Sequence, residues 1–87
     1  MKLIVLKRAE KQIIKLPKIV LLGLREQTHA LIEGRETNEK KLKGYPSFFR
    51  LRIGNYRAVY ERRDGDIYLI LIQHRKDVYQ SLERIFK

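Results

Sequence analysis

Six side chains carry the chemistry this sequence offers. Arg50, Arg52 and Arg57 crowd into "FFRLRIGNYRAVY" (48–60), and His74, Arg75 and Tyr79 follow in "HRKDVY" (74–79). A guanidinium is a planar fork that stays charged and matches phosphate oxygens two at a time. An imidazole, with an unperturbed pKa of about 6.5, can take or give a proton at neutral pH. A phenol can donate a proton or stack on a nucleobase. The set suits a site that holds a phosphodiester and moves a proton beside it.

Those residues can act together only if the fold gathers them. Gly54-Asn55 and Asp64-Gly65 are two-residue hairpin turns of the kind that need positive φ. They join strands at about 47–53, 56–63 and 66–73. With Gly54-Asn55 as the turn, Ile53 lies opposite Tyr56, Arg52 opposite Arg57, Leu51 opposite Ala58 and Arg50 opposite Val59. Alternation then puts Phe49, Leu51, Ile53, Tyr56, Ala58 and Tyr60 on one apolar face, and Arg50, Arg52, Arg57 and Val59 on the other. Carried across Asp64-Gly65, the pairing becomes Tyr60 with Leu69, Ala58 with Leu71 and Tyr56 with Gln73. Ile70, Ile72 and His74 then extend the arginine face. Like charges directly opposite one another oppose folding, on the scale of the roughly 0.2–1 kcal/mol that favourable cross-strand pairs contribute. An arginine face kept in spite of that cost is one expected to meet phosphates. Glu61, farther along the same face, is expected to be a charge partner.

The composition agrees. The 87 residues hold 20 Lys and Arg against 10 Asp and Glu, a net charge of +10. Residues 1–39 carry eight basic and five acidic residues, and residues 40–87 carry twelve and five. The excess sits with the hairpins and favours a polyanionic partner. The absence of cysteine removes disulfides and thiolate metal sites and fits a reducing compartment. His29 and His74 are the only histidines, and no carboxylates are spaced as a metal cluster would need, so neither metal nor cofactor is expected. The apolar runs at 3–6 and 19–24 are too short to span a membrane or serve as a secretory segment. A soluble, cytoplasmic protein is expected.

The remaining elements complete one small domain over residues 1–87. Residues 2–6 read as a strand. Ala9, Ile13 and Leu16 share a helical face that Pro17 ends. Leu21, Leu24, Thr28, Leu31 and Ile32 mark a second helix over about 18–33, with Gly34 as its C-terminal cap and His29 structural or exposed. Residues 35–44 read as a loop anchored by Leu42. A short last helix over about 77–86 turns Val78, Leu82 and Ile85 or Phe86 inward, with Asp77 at its N-cap. The order is β-α-α-β-β-β-α. It describes an α+β fold with a small, mainly antiparallel four-stranded sheet, a helical hairpin on one face and a short C-terminal helix.

The stretches "KLKGYPSFFRLRIGNYRAVYE" (41–61) and "HRKDVY" (74–79) resemble the RelE/ParE superfamily of toxins from type II toxin–antitoxin systems, on its RelE-like branch. The carriers are Gly44, Arg50, Arg52, Gly54, Tyr56, Arg57 and Tyr60, followed by His74, Arg75 and Tyr79, and the element order matches along essentially the whole chain. The resemblance implies an mRNA interferase: a ribosome-dependent endoribonuclease working in the ribosomal A site, where the mRNA 2′-OH attacks its own adjacent phosphate without a metal. It implies that Arg57 and Arg75 hold the scissile phosphate, that Tyr79 is the functional tyrosine near the C-terminus, and that Arg50 and Arg52, with Lys41 and Lys43, contact RNA. Some members have lysine at the positions of Arg50 and Arg52. Arginine does not deprotonate in proteins, so proton transfer turns to His74, with Tyr79 as acid or as stacking platform the alternative.

Two other functions stay open on the residues: a ParE-like inhibitor of DNA gyrase, and an RNA-binding module without catalysis. The expected partners are an acidic antitoxin that folds on binding, the mRNA, and ribosomal RNA; the toxin alone is expected to be a monomer.

Overall fold

The computed structural model describes residues 1–86. The aliphatic run at the start forms β1 (Leu3–Val5), which lies parallel to the long strand β5 (Asp66–His74), Leu3 beside Ile67 and Val5 beside Leu69. A parallel pair needs a crossover. It begins with α1 (Lys7–Ile14) and α2 (Lys18–Ile32). Pro17 separates the helices: it has no N–H to offer the first, and its carbonyl accepts from Val20 and Leu21 in the second. Gly34 closes α2 at φ +72°, where Arg35 N–H donates to Ala30 O (2.8 Å) and Gly34 N–H to Leu31 O (3.2 Å). Ala9, Val20, Leu24 and Leu31 turn inward, and Thr28 spends its buried hydroxyl on Leu24 O at 2.9 Å.

The two hairpins follow as β3 (Phe48–Ile53), β4 (Tyr56–Arg63) and β5. The β3–β4 register is the expected one, with Ile53 opposite Tyr56, Arg52 opposite Arg57, Leu51 opposite Ala58 and Arg50 opposite Val59. The second turn has positive φ at both Asp64 (+53°) and Gly65 (+82°). At the first, only Gly54 is positive (+59°), so Asn55 does not need the left-handed region.

Two features depart from the sequence reading. A fifth strand, β2 (Lys40–Lys41), pairs with β3 inside the segment expected to be a loop, Lys40 beside Arg50 and Lys41 beside Phe49. The sheet order is therefore β1-β5-β4-β3-β2, with five strands and not four. The other is a bulge in β5. Tyr60 lies opposite Leu69 as expected, but Val59 then pairs with Leu71, so Ile70 is the extra residue. Beyond it every expected pair is displaced by one: Ala58 faces Ile72, Arg57 faces Gln73, and Tyr56 faces His74.

The sheet is covered on both sides. Phe49, Leu51, Ile53, Tyr56, Ala58, Tyr60, Leu69 and Ile72 pack with the helical hairpin. On the far side, Val59 and Leu71 are sealed by Leu42 and by Val78 and Leu82 of α3 (Val78–Ile85). Tyr45, Phe48 and Phe86 close that second core, with Tyr45 stacked on Phe86 at 4.5 Å. The arginine face is thus half roofed, and what remains open lies toward the Gly54-Asn55 end. Among the described residues, no helix is long and apolar enough to cross a membrane.

Candidate phosphate-binding site

The open end of the far face is built from β2, β3, β4 and the start of α3. Lys40, Arg50, Arg52 and Arg57 border one hollow of about 260 Å³ together with Asn38. Asn38 holds Arg52 in place by its backbone: its Nδ2 donates to Arg52 O (2.8 Å) and its Oδ1 accepts from Arg52 N–H (2.9 Å). One side chain thereby continues the β2 ladder that the main chain has left. Arg57 bends back on the hairpin turn, with Nη1 donating to Gly54 O (3.0 Å) and Tyr56 O (2.9 Å). The turn so fixes a guanidinium that would otherwise cost rotamer entropy on binding.

Arg75 joins from the strand end. Its N–H donates to Asn55 O at 2.7 Å, which ties the β5–α3 connection to the β3–β4 turn. Asp77 sits at the N-cap of α3 as expected, but its side chain makes no capping bond; the chain turns instead through Asp77 N–H to His74 O (2.9 Å) and Lys76 N–H to His74 Nδ1 (3.3 Å). Tyr79 follows in the first turn of α3 with 55% of its surface exposed.

Arg57 is the electrostatic centre of the group. Its pKa is pushed below the usual arginine value, first by desolvation and then by the positive charges of Arg50, Arg52 and Arg75, while the Tyr79 phenol acts the other way. Among the described residues, none of these four arginines forms an ion pair; Glu39 is taken by Arg62 (2.7 Å), Glu61 by Arg63 (3.7 Å), and Glu26 and Glu33 by Arg35. Glu61 is therefore a charge partner, but of Arg63. The four positive charges are left for an anion. Lys41 and Lys43, with Arg50 and Tyr79, border a second and larger hollow between β2 and α3, so Arg50 belongs to both.

His74 does not extend the arginine face. The β5 bulge turns it to the side of the helical hairpin, where its ring meets Tyr56 edge to face at 5.6 Å and shares a hollow with Gln12, Lys15 and Leu16. Ile72 moves with it into the hairpin core. Gln73 takes the place opposite Arg57, and its Oε1 is buried with no hydrogen-bond partner among the described residues. Sequence reasoning also passed over Asn38, Lys40, Tyr45 and Glu83; the only signal for Asn38 was its nearness to two lysines at the sheet edge. His29 is exposed on α2. Arg62, bidentate on Glu39 and lying 5.3 Å above the Phe49 ring, is structural, and burial there raises the Tyr60 phenol pKa. Among the described residues, no three of His, Cys, Asp and Glu gather as metal ligands would.

Comparison with known proteins gives the same framework. Residues 3–79 match the family model described as the ParE toxin of the type II toxin–antitoxin system, parDE. The curated toxin RelE3 of Methanocaldococcus jannaschii is 42% identical over 40 residues, a stretch covering 46% of either chain, so the matched stretch is under half the length of that relative. Among solved structures, the RelB–RelE antitoxin–toxin complex of Methanococcus jannaschii superposes with a TM-score of 0.79 at 23% identity, over 90% of this chain and 96% of that one. The isolated Escherichia coli RelE toxin gives 0.70 at 27% identity, over 95% and 96%.

Proposed function

The chain belongs to the RelE/ParE superfamily of type II toxin–antitoxin toxins and is RelE-like, and from that premise we propose that it is a ribosome-dependent mRNA endoribonuclease. The observation that carries the proposal is a set of arginines without an ion pair among the described residues: Arg50, Arg52 and Arg57 around one small hollow, with Arg75 and Tyr79 near enough for their charges to act on Arg57. In this reading Arg57 and Arg75 hold the scissile phosphate. The 2′-OH of the preceding nucleotide gives its proton to solvent water as it attacks the phosphorus, the bond to the 5′-oxygen of the next nucleotide breaks, and a 2′,3′-cyclic phosphate and a free 5′-OH result. The added negative charge of the pentavalent state falls on fixed guanidinium forks, which gain most there.

Tyr79 gives its phenolic proton to the leaving 5′-oxygen and regains one from solvent. His74 is on the other side of the sheet, and arginine does not give up a proton. Arg52, Lys41 and Lys43 hold the flanking backbone. The protein acts in the cytoplasm, where the ribosome presents its mRNA. Its partner is an acidic antitoxin, drawn by the +10 charge; the M. jannaschii toxin of the same fold is itself found in complex with an antitoxin.

The ParE name of the matching family keeps one other reading in view, a toxin that binds DNA gyrase and cuts no RNA. Primer extension on mRNA from cells expressing the chain decides between them. New 5′ ends inside codons, absent with Arg57→Ala and Arg75→Ala, support the nuclease. Unchanged ends in both variants, or inhibition of purified gyrase at stoichiometric protein, reverse it.

A further inference from the structure

The hollow between residues 41–45 and α3 holds about 340 Å³, at the small end of the roughly 300–1,000 Å³ of ligand pockets and roomy enough for a single base. Leu42 and Leu82, both buried in the second core, form part of its floor. Tyr45 forms one wall, held by its stack on Phe86 (4.5 Å, 24° between planes) and its edge contact with Phe48. Tyr79 and Glu83 are one helical turn apart and so share a face of α3. The wall opposite the helix includes Arg50, which also borders the phosphate hollow. A base seated here would place its own phosphate among the arginines.

Glu83 is the anomaly. It is a carboxylate on the side of a +10 protein that would face an anionic strand, and it forms no ion pair among the described residues. A charge so placed repels every phosphate equally, but it accepts hydrogen bonds only. Guanine alone among the four RNA bases offers two adjacent donors, N1–H and N2–H, on its Watson–Crick edge. We propose that this hollow is a guanine-selecting base subsite and that Glu83 reads the base, with Tyr45 and Tyr79 supplying the aromatic walls. The assignment rests on the nuclease reading above and adds to it the identity of a nucleotide next to the cleaved bond.

The test is an NMR titration of the whole chain with guanosine 5′-monophosphate and, separately, adenosine 5′-monophosphate, repeated with Glu83→Gln. Glu83 is exposed and forms no ion pair among the described residues, so the packing survives the change, and the spectrum itself reports that. GMP is expected to shift the amide signals of Tyr45, Leu82 and Glu83 and to bind roughly tenfold more tightly than AMP, the discrimination of one good bidentate contact. Glutamine offers one acceptor and one donor, the complement of adenine's N1 and N6–H edge, so Glu83→Gln is expected to weaken GMP about tenfold and tighten AMP. Equal binding of the two by the unchanged chain overturns the proposal. So does equal tightening of both in Glu83→Gln, which is what removal of a repelling charge alone would do. The titration needs no ribosome, so the two readings fail separately. A chain that selects GMP yet cleaves nothing loses only the nuclease, and one that cleaves without selecting GMP loses only this subsite.

Discussion

His74 meets Tyr56 edge to face, 5.6 Å between ring centres, on the side of the sheet that faces α1 and away from Arg57. A single extra residue in β5 causes this, and it separates the most obvious proton carrier in the sequence from the phosphate site. His74→Gln is therefore expected to change single-turnover cleavage by no more than a few-fold. Tyr79→Phe, which removes only the phenolic proton, is expected to slow it about 10²–10⁴-fold, the usual range for general acid–base assistance. Rates of the two variants on the same programmed ribosomes check both; equal losses would return His74 to the site.

Arg52 faces Arg57 directly with no carboxylate between them, so the site works against the stability of its own sheet. Arg52→Thr removes the repulsion and places a good strand former on an exposed position. It is expected to raise unfolding free energy by roughly 0.2–1 kcal/mol in urea titration while weakening RNA binding. A drop in stability would mean that the Asn38 and Arg52 backbone pair depends on the side chain.

An anion that fits the arginines binds the native chain and not the unfolded one, so it must raise the melting temperature. Inorganic phosphate is expected to do so beyond chloride at equal ionic strength, which controls for plain screening. The excess is expected to vanish in Arg57→Ala. Identical effects of the two salts would show a basic surface without a built site.

Gly23 marks where α2 lies nearest the sheet: a Cβ there would come within 2.7 Å of Ile53 Cγ2. Alanine normally favours a helix by roughly 0.5–1 kcal/mol over glycine. Here the overlap should win, because overpacking a core costs about 1–3 kcal/mol. Gly23→Ala is expected to lower the melting temperature, measured by circular dichroism; a rise would mean that Ile53 turns away at little cost.

The first hairpin was legible because its two strands alternate cleanly and Gly54 pins the turn. Arg50, Arg52 and Arg57 on one face, and Leu51, Ile53 and Ala58 on the other, are where the alternation puts them. The β5 bulge was not legible, for a physical reason. Residues 67–72 are apolar save for Tyr68, because the hairpin covers one face of β5 and α3 the other. A strand buried on both sides has no polar alternation in which a slipped residue would show. Ile72 and His74 were misplaced on that account. β2 is two exposed lysines held by backbone bonds, and its extension is the Asn38 side chain; neither leaves a hydrophobic period to read. The site at the end of β3 and β4 was therefore readable, and its border on β5 was not.

The central claim is that the arginine cluster cleaves mRNA on the ribosome, and single-turnover cleavage of end-labelled mRNA on purified, programmed ribosomes tests it most directly. The purified chain is expected to cut within the codon exposed in the A site and to leave a 2′,3′-cyclic phosphate. Arg57→Ala and Arg75→Ala are each expected to slow the cut by roughly 10²-fold or more, as the loss of a charge-stabilising donor does elsewhere. Intact mRNA with the unchanged chain, or cleavage at the same rate in both variants, would contradict the account.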